Sequence, residues 1–183
     1  MSSFEQSIVI SSTARGEQPL LAIPREEFAR FHEATARSLR GYLVRVTGSP
    51  SLAEDLAQEA YLRLLRSGLA PDATHEHRRN YLFRIATNLS TDHFRSGPAG
   101  EELPDHVPEP TTPPDAGRQT DIQRALGEVS HHDRALLWLA YVEQWSHREI
   151  AEVVSVKESS IRGLLLRARH RLGAILEKKG LRP

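Results

Sequence analysis

The stretch from Ser96 to Gly117 constrains the fold of this chain more than any other feature. It holds six prolines and five acidic residues and lacks a periodic apolar pattern. Because proline interrupts both helices and sheets, no regular element is expected to run through it. The chain on either side is long enough for one small domain. The sequence therefore predicts two small domains joined by a flexible, acidic, proline-rich linker.

Both halves repeat their apolar residues with the period of an α-helix. Before the linker these residues are Phe28, Phe31, Leu39, Tyr42, Leu43 and Val46, then Leu52, Leu56, Tyr61, Leu62 and Leu65, then Leu82, Ile85, Ala86 and Leu89. No strand-like alternation competes with this pattern. We expect an all-α protein with a disordered N-terminal extension (1–24), a helical domain (25–95), the linker (96–118) and a second helical domain (119–183).

Four capping boxes, each a serine followed three residues later by an acid, mark expected helix starts. They are Ser51 with Glu54, Ser130 with Asp133, Ser146 with Glu149, and Ser155 with Glu158. The last two are so close that a short helix has to end near Val154 before the next begins. Two helices joined by a tight turn predict a helix-turn-helix in the second domain, with its second helix from Val156 through Arg171.

A net charge of zero conceals a sorting of charge along the chain. The linker (96–118) carries one arginine against five acids, whereas both helical domains are net positive. The last helix is rich in arginine and lysine, which would attract phosphates, although a solvated basic face accounts for the charge equally well. The acidic linker is expected either to occupy a basic channel in place of nucleic acid or to serve only as a tether.

Composition excludes several classes of protein. The chain has no cysteine, which rules out disulfides, thiolate metal sites and a cysteine nucleophile. Its longest apolar run, Ala135 to Val142, is too short to span a bilayer. We expect a soluble, cytoplasmic protein without membrane insertion.

The predicted helix-turn-helix supplies candidate contacts to duplex DNA. In this motif the N-terminal part of the second helix enters the major groove, and the first helix crosses the backbone. The outward candidates are Arg148, Ser159, Ser160, Arg162, Gly163 and Arg167. Arg162 and Arg167 suit a guanine or a phosphate. A plain amphipathic hairpin with solvated arginines would show the same spacing.

Three segments of the second domain, Val129 to Glu143, Ser146 to Val156 and Ile161 to Leu172, resemble the fourth region of an extracytoplasmic function (ECF) sigma factor. The resemblance implies binding to the minus-thirty-five promoter element. This chain departs from the family where Ser155 replaces glycine, Lys157 replaces a capping serine or threonine, and Arg162-Gly163-Leu164 replaces a Lys-Ser-Arg-like triplet. Leu164 and Leu166 replace polar donors. They predict weaker base readout, readout through thymine methyl groups, or a protein-facing patch.

The stretch from Leu52 to Leu65 is similar to the family helix that docks on the clamp coiled coil of the polymerase largest subunit. Four of its residues, Asp55, Gln58, Glu59 and Leu62, fall at i, i+3, i+4 and i+7, on one helix face. A polar face with one apolar anchor suits a partner helix, although a solvated acidic face would look the same if the stretch stood alone. The resemblance implies that these four residues bind polymerase core.

The stretch from Arg78 to Arg95 resembles the family segment that captures the minus-ten element on the non-template strand. Holding unstacked bases requires cations for the backbone and amides for base edges. The candidates are Asn80, Arg84, Asn88 and Arg95. Tyr81 and Phe83 are expected in the core rather than as stacking platforms. The stretch ends in Ser96-Gly97-Pro98 instead of further basic residues, which predicts weaker phosphate binding on that side.

Together these resemblances imply a sigma factor, a transcription initiation factor without catalytic chemistry. Its implied partners are RNA polymerase core, promoter DNA and an anti-sigma protein. No catalytic residue, cofactor, metal or small-molecule substrate is expected, because phosphate loops, nucleophile elbows and helix-face histidine pairs are missing. Two alternatives stay open: a sigma-like decoy that binds an anti-sigma protein without reading DNA, and a dimeric helix-turn-helix regulator.

Overall fold

The computed structural model describes residues 24–69, 73–96 and 125–180, which together form six complete helices. They are α1 (Arg25–Thr47), α2 (Pro50–Arg66), α3 (His75–Ser96), α4 (His131–Tyr141), α5 (His147–Val154) and α6 (Glu158–Lys178). A short helical segment also lies at 125–127. The described ranges contain no strand, and the expected all-α class is confirmed. The predicted N-terminal extension and linker fall almost entirely outside these ranges.

Helices α1, α2 and α3 form the N-terminal half, and buried hydroxyl pairs fix their register. The Tyr42 hydroxyl on α1 lies 2.7 Å from Thr87 Oγ1 on α3, and burial raises the pKa of Tyr42, so the phenol stays protonated. Thr35 on α1 pairs in the same way with the Tyr61 hydroxyl on α2, at 2.8 Å. Because a buried hydroxyl without a partner is costly, these pairs select one packing of the three helices.

The turn between α1 and α2 corrects one predicted helix start. Gly48 ends α1 in the left-handed conformation at φ 72°. The N-cap of α2 is Ser49, whose hydroxyl accepts a hydrogen bond from the Leu52 amide, and Pro50 occupies the first helical position. The predicted cap, Ser51, lies inside the helix. Proline at the first position is the stronger local signal, because its missing N–H and fixed φ suit that site.

The C-terminal half contains the predicted helix-turn-helix, formed by α5 and α6. Ser130 caps α4 and Ser146 caps α5, the latter in a complete capping box with Glu149, so these two predicted starts are confirmed. The start predicted at Ser155 is wrong. Ser155 ends α5 in the left-handed conformation (φ 56°, ψ 46°), and α6 begins at Glu158 after Lys157, whose side chain makes no capping bond.

A glycine at position 155 should stabilise the protein. The left-handed conformation costs a non-glycine residue about 1 kcal/mol or slightly more, and glycine avoids that cost. We expect Ser155→Gly to raise the free energy of unfolding by about 1 kcal/mol, measured by urea denaturation. Ser155→Ala is the matched control, because alanine bears the same backbone cost and should leave stability nearly unchanged. Equal stabilities of the two variants would contradict this account.

The two halves are packed together around Trp145, which is 5% exposed and lies in the loop before α5. Its ring centre is 4.9 Å from that of Phe83 on α3, and the Arg79 guanidinium lies 4.4 Å from the ring centre. Phe83 in turn contacts Tyr42, so one continuous apolar core joins the halves. In this structure the two halves are therefore packed against each other, an arrangement that we call closed.

Polar contacts on α1 reinforce the closed arrangement. Ser38 on α1 donates to Glu143 at 2.7 Å, while the Trp138 indole donates to the other carboxylate oxygen at 3.1 Å. The buried Arg134 guanidinium donates to the backbone carbonyl of Arg45 at 3.3 Å, in the last turn of α1, where carbonyls lack helical partners. Burial lowers the pKa of Arg134, which reflects the cost of placing this cation between the domains.

None of the helices in the described ranges is long and apolar enough to cross a membrane.

Candidate nucleic-acid and polymerase interfaces

The N-terminal part of α6 presents the predicted duplex-binding residues to solvent. Ser159, Ser160, Arg162 and Arg167 are exposed, and Gly163 is half-buried. The opposite face of the helix carries Ile161, Leu165 and Ala168, all buried against the rest of the chain. Local sequence explains this division, because the apolar residues recur at helical spacing. The surface that a major groove would meet is therefore open even though the two domains are closed on each other.

The arginines of α6 differ in whether they are paired. Arg171 is bound to Asp133 at 2.5 Å and thereby joins α6 to α4. Arg162, Arg167 and Arg169 have no ion-pair or hydrogen-bond partner within the described ranges. On α5, exposed Arg148 pairs with Glu152, one turn away at 3.5 Å. The outward face of α6 thus carries uncompensated positive charge, which favours a polyanionic partner.

Helix α3 carries a stripe of exposed polar residues made by Arg84, Asn88 and Arg95. The Arg84 guanidinium lies 4.8 Å from the centre of the Tyr81 ring, which is half-buried against the core. Arg95 is 3.4 Å from Asp92, a weak surface pair. Asn88 is exposed beside them and has both donors and acceptors for a base edge. The closed domain arrangement leaves this stripe accessible.

Asn80 does not belong to that stripe in this conformation. It is 7% exposed, and its side-chain oxygen has no hydrogen-bond partner within the described ranges. Asn80 lies three and seven residues before Phe83 and Thr87, and it shares their buried side of α3. The sequence predicts Asn80 as a DNA contact together with Arg84, Asn88 and Arg95, whereas in this structure only the other three are exposed.

The predicted polymerase-binding face of α2 is on the surface. Asp55 and Gln58 are exposed, and Glu59 accepts a hydrogen bond from Arg63 at 2.7 Å. Leu62 is 45% exposed, although its neighbour Leu64 is buried. Leu62 thus adds one apolar contact to a polar face, a combination that suits a partner helix.

The residues that hold the closed state were missed by sequence reasoning. Trp145 directly precedes the cap Ser146, a position at which an apolar residue commonly packs on the following helix. That signal could have placed Trp145 inside the protein. It could not have identified Phe83, because the two residues are far apart in sequence and lie on opposite sides of the linker.

Two histidines, His131 and His75, pack against aromatic rings. His131 stacks on Phe94 with ring centres 5.0 Å apart, and burial lowers the pKa of His131. His75 meets Phe31 edge-on at 5.3 Å. Within the described ranges, no three histidine or acidic side chains cluster in a way that could hold a metal ion.

Comparisons with known proteins find a match in each half of the chain. The sigma-70 region 2 family model matches residues 31–97, and the sigma-70 region 4 family model matches residues 119–172. The ECF RNA polymerase sigma factor SigL of Mycobacterium tuberculosis is 28% identical over 179 residues, covering 94% of this chain and 97% of SigL. The chain belongs to the ECF sigma factor family.

This ECF sigma factor also resembles proteins from two other bacteria. SigM of Bacillus subtilis is 26% identical over 153 residues, covering 75% of this chain and 87% of SigM. Among solved structures, the sigma factor RpoE of Bartonella quintana, in complex with the anti-sigma factor NepR, matches with a TM-score of 0.64 and 20% identity. That match covers 83% of this chain and 98% of RpoE. At this identity the likeness concerns the fold alone.

The same fold also occurs in a protein with another role. The anti-anti-sigma factor PhyR of Bartonella quintana, solved with NepR, matches with a TM-score of 0.54 and 16% identity, covering 80% of this chain and 49% of PhyR. The fold by itself therefore does not distinguish a sigma factor from such a protein. The family membership of this sigma factor rests on the two region models and on the full-length relatives.

Proposed function

We propose that this sigma factor binds RNA polymerase core through α2 and directs it to specific promoters. The observation that carries the proposal is Leu62, 45% exposed on a face otherwise made by charged and polar side chains. This face matches the sequence resemblance to the helix that docks on the clamp helices of the polymerase largest subunit. Asp55, Gln58 and Glu59 would surround Leu62 with acceptors and donors for a partner helix.

Two further surfaces would then contact the promoter. The basic face of α6, with Arg162 and Arg167, would enter the major groove of the minus-thirty-five element. Arg148 would lie near the backbone, and Ser159, Ser160 and Gly163 would lie close to the bases. On α3, the stripe of Arg84, Asn88 and Arg95 would hold the unstacked non-template strand of the minus-ten element. Asn80 would join it only after the buried side of α3 is uncovered.

Simultaneous contact with both promoter elements requires the chain to open. The elements are about 25 base pairs apart, roughly 85 Å along B-form DNA. A compact body made from the described residues has a radius of gyration of only about 14 Å. The α3 stripe and α6, held in one core through Phe83 and Trp145, therefore cannot reach both elements. We infer that polymerase binding separates the two halves, with the linker spanning the gap.

A core-binding experiment tests the proposal. We expect Leu62→Ala and Asp55→Ala each to weaken binding to purified core polymerase from the host by at least tenfold, the loss typical of an interface anchor. Val142→Ala is the matched control, because Val142 is also an exposed apolar residue, at 54%, but lies far from α2 in the sequence. Affinity is measured by fluorescence anisotropy, and promoter selection by run-off transcription from host genomic DNA.

The outcomes separate the proposal from its alternatives. Specific transcripts that disappear with the Leu62 variant support a sigma factor. Absence of core binding by the unaltered chain would contradict the proposal and favour a decoy that binds only an anti-sigma protein. Core-independent binding to duplex DNA as a dimer would favour a helix-turn-helix regulator.

An anti-sigma protein is proposed as the third partner. Tyr141 and Val142 form a pair of exposed apolar side chains at the end of α4, with exposed fractions of 56% and 54%. No other described part of the chain covers them. The resemblance of RpoE, solved together with NepR, gives a precedent for an inhibitor on this fold. We propose that these side chains contribute to the surface that an inhibitor would cover.

A further inference from the structure

Leu166 is an apolar residue on the exposed, basic face of α6. It is 52% exposed, and it is the only large apolar side chain that α6 exposes within the described ranges. Arg162 lies one turn before it and Arg169 one turn after it, and neither has an ion-pair partner there. An apolar spot between uncompensated cations matches a polyanion that also offers apolar groups.

Gly163, one turn before Leu166, leaves part of the helix surface without a side chain. It lies on the same exposed side of α6, and no atom of the Leu166 side chain lies within 4 Å of the position a Cβ atom would take at Gly163. A Cβ atom added at Gly163 would meet only the Arg167 guanidinium, at 3.4 Å, so nothing in the protein core requires a glycine here. Glycine weakens a helix, and such a residue is typical of a site that another molecule approaches closely.

We propose that Leu166, with room left by Gly163, recognises the 5-methyl group of a thymine in the major groove. The inference rests on the proposed function and names the chemistry that α6 reads. The thymine methyl is the one apolar group that a base pair presents in that groove. Arg162, Arg167 and Arg169 would bring the phosphates or a neighbouring guanine to the helix. A partner protein would leave these cations unpaired unless it supplied acidic side chains of its own.

Deoxyuridine tests the inference, because it removes the methyl group and keeps the base pair. Holoenzyme assembled from the full chain and host core first selects an upstream element from random duplex DNA. Each thymine of that element is then replaced in turn by deoxyuridine. We expect one position to lose about fourfold in affinity, as follows from withdrawing one methyl from an apolar contact. Leu166→Ala should bind the thymine duplex with similarly reduced affinity and lose its sensitivity at that position.

Gly163→Ala gives a second readout that loss of folding cannot imitate. Alanine should raise the melting temperature, because it strengthens the helix. It should also weaken binding to the thymine duplex more than to the deoxyuridine duplex, since the added methyl fills part of the open helix surface one turn before Leu166. Unchanged DNA affinity of this variant would remove Gly163 from the contact and overturn that part of the proposal.

The remaining outcomes are distinct. Equal affinity for thymine and deoxyuridine at every position, with selection intact, would overturn the inference and leave the proposed function standing. Weaker assembly of Leu166→Ala with core or an inhibitor, at unchanged methyl dependence, would assign Leu166 to a protein contact and also overturn it. Failure of the unaltered holoenzyme to select any duplex sequence would overturn the proposed function itself.

Discussion

Trp145→Ala should shift the free chain from the closed to the open arrangement by about 30-fold. The substitution removes the ring contact with Phe83, 4.9 Å between centres, and the Arg79 guanidinium contact at 4.4 Å. Truncating a buried tryptophan costs about 3–5 kcal/mol, and removing its unpaired indole N–H returns about 1–3 kcal/mol, which leaves about 2 kcal/mol and corresponds to that factor. Arg79→Ala removes only the cation–π contact from the α3 side and should shift the equilibrium by about fivefold.

The measurement uses the absence of cysteine in this chain. Spin labels on Arg66→Cys and Lys178→Cys, both exposed and at the ends of α2 and α6, report the separation of the halves by pulsed electron resonance. A second, longer distance should grow in the Trp145 variant. Tyr141→Ala is the matched control, because it truncates an aromatic residue that is 56% exposed. A distance distribution that stays closed in Trp145→Ala would show that other contacts hold the halves.

The interface between the two halves contains polar groups that lower the stability of the closed arrangement. The Trp145 indole nitrogen and Nε of Arg134 are buried there without hydrogen-bond partners in the described part of the chain. Each such group costs about 1–3 kcal/mol in lost hydration, which opening would return. The apolar contact around Phe83 is therefore opposed by polar groups that favour the open state. The proposed binding of core through α2 would then need to supply only a modest free-energy difference to separate the halves.

Local patterns in the sequence were enough to predict the helices and the helix-turn-helix. Ser146 and Glu149 form the predicted capping box, and the tight turn before α6 is present. Two helix starts were misplaced, because neither Ser51 nor Ser155 serves as the N-cap of a helix. At α2 the neighbouring Pro50 decides for Ser49, and at α6 the turn uses Ser155 for its left-handed residue instead of a cap. These errors are local, small and explained by backbone geometry.

The candidate site was only partly predictable, and the reason is non-local packing. Exposure of Arg84, Asn88, Arg162 and Leu62 follows from helical spacing, since each lies opposite an apolar stripe. Burial of Asn80 does not follow from spacing alone, because it depends on which sides of α3 receive neighbouring elements. The partners of α3 include Trp145, which lies beyond the linker. Contacts across such a separation leave no periodic signal in the sequence.

Arg84→Ala should reduce promoter opening by at least tenfold, with core binding unchanged. Arg84 is exposed on α3, and its guanidinium is held 4.8 Å from the Tyr81 ring, which fixes it in an orientation suited to a phosphate or a stacked base. Unstacking a base costs a few kcal/mol, so losing one of a few compensating contacts should affect the rate strongly. Opening is followed by permanganate reactivity of unpaired thymines in the holoenzyme complex.

Binding to single-stranded and to duplex DNA distinguishes two possible roles of Arg84. If it holds the flipped strand, Arg84→Ala should weaken holoenzyme binding to a single-stranded non-template oligonucleotide by a similar factor and leave binding to a duplex with only the upstream element unchanged. Arg37→Ala is the matched control, because Arg37 is an exposed arginine on α1, also without a partner in the described ranges. An equal loss on every DNA would instead make Arg84 a general phosphate contact. Because the closed form leaves Arg84 exposed, a loss confined to the single-stranded oligonucleotide would show that its contact depends on strand separation and not on release from the C-terminal half.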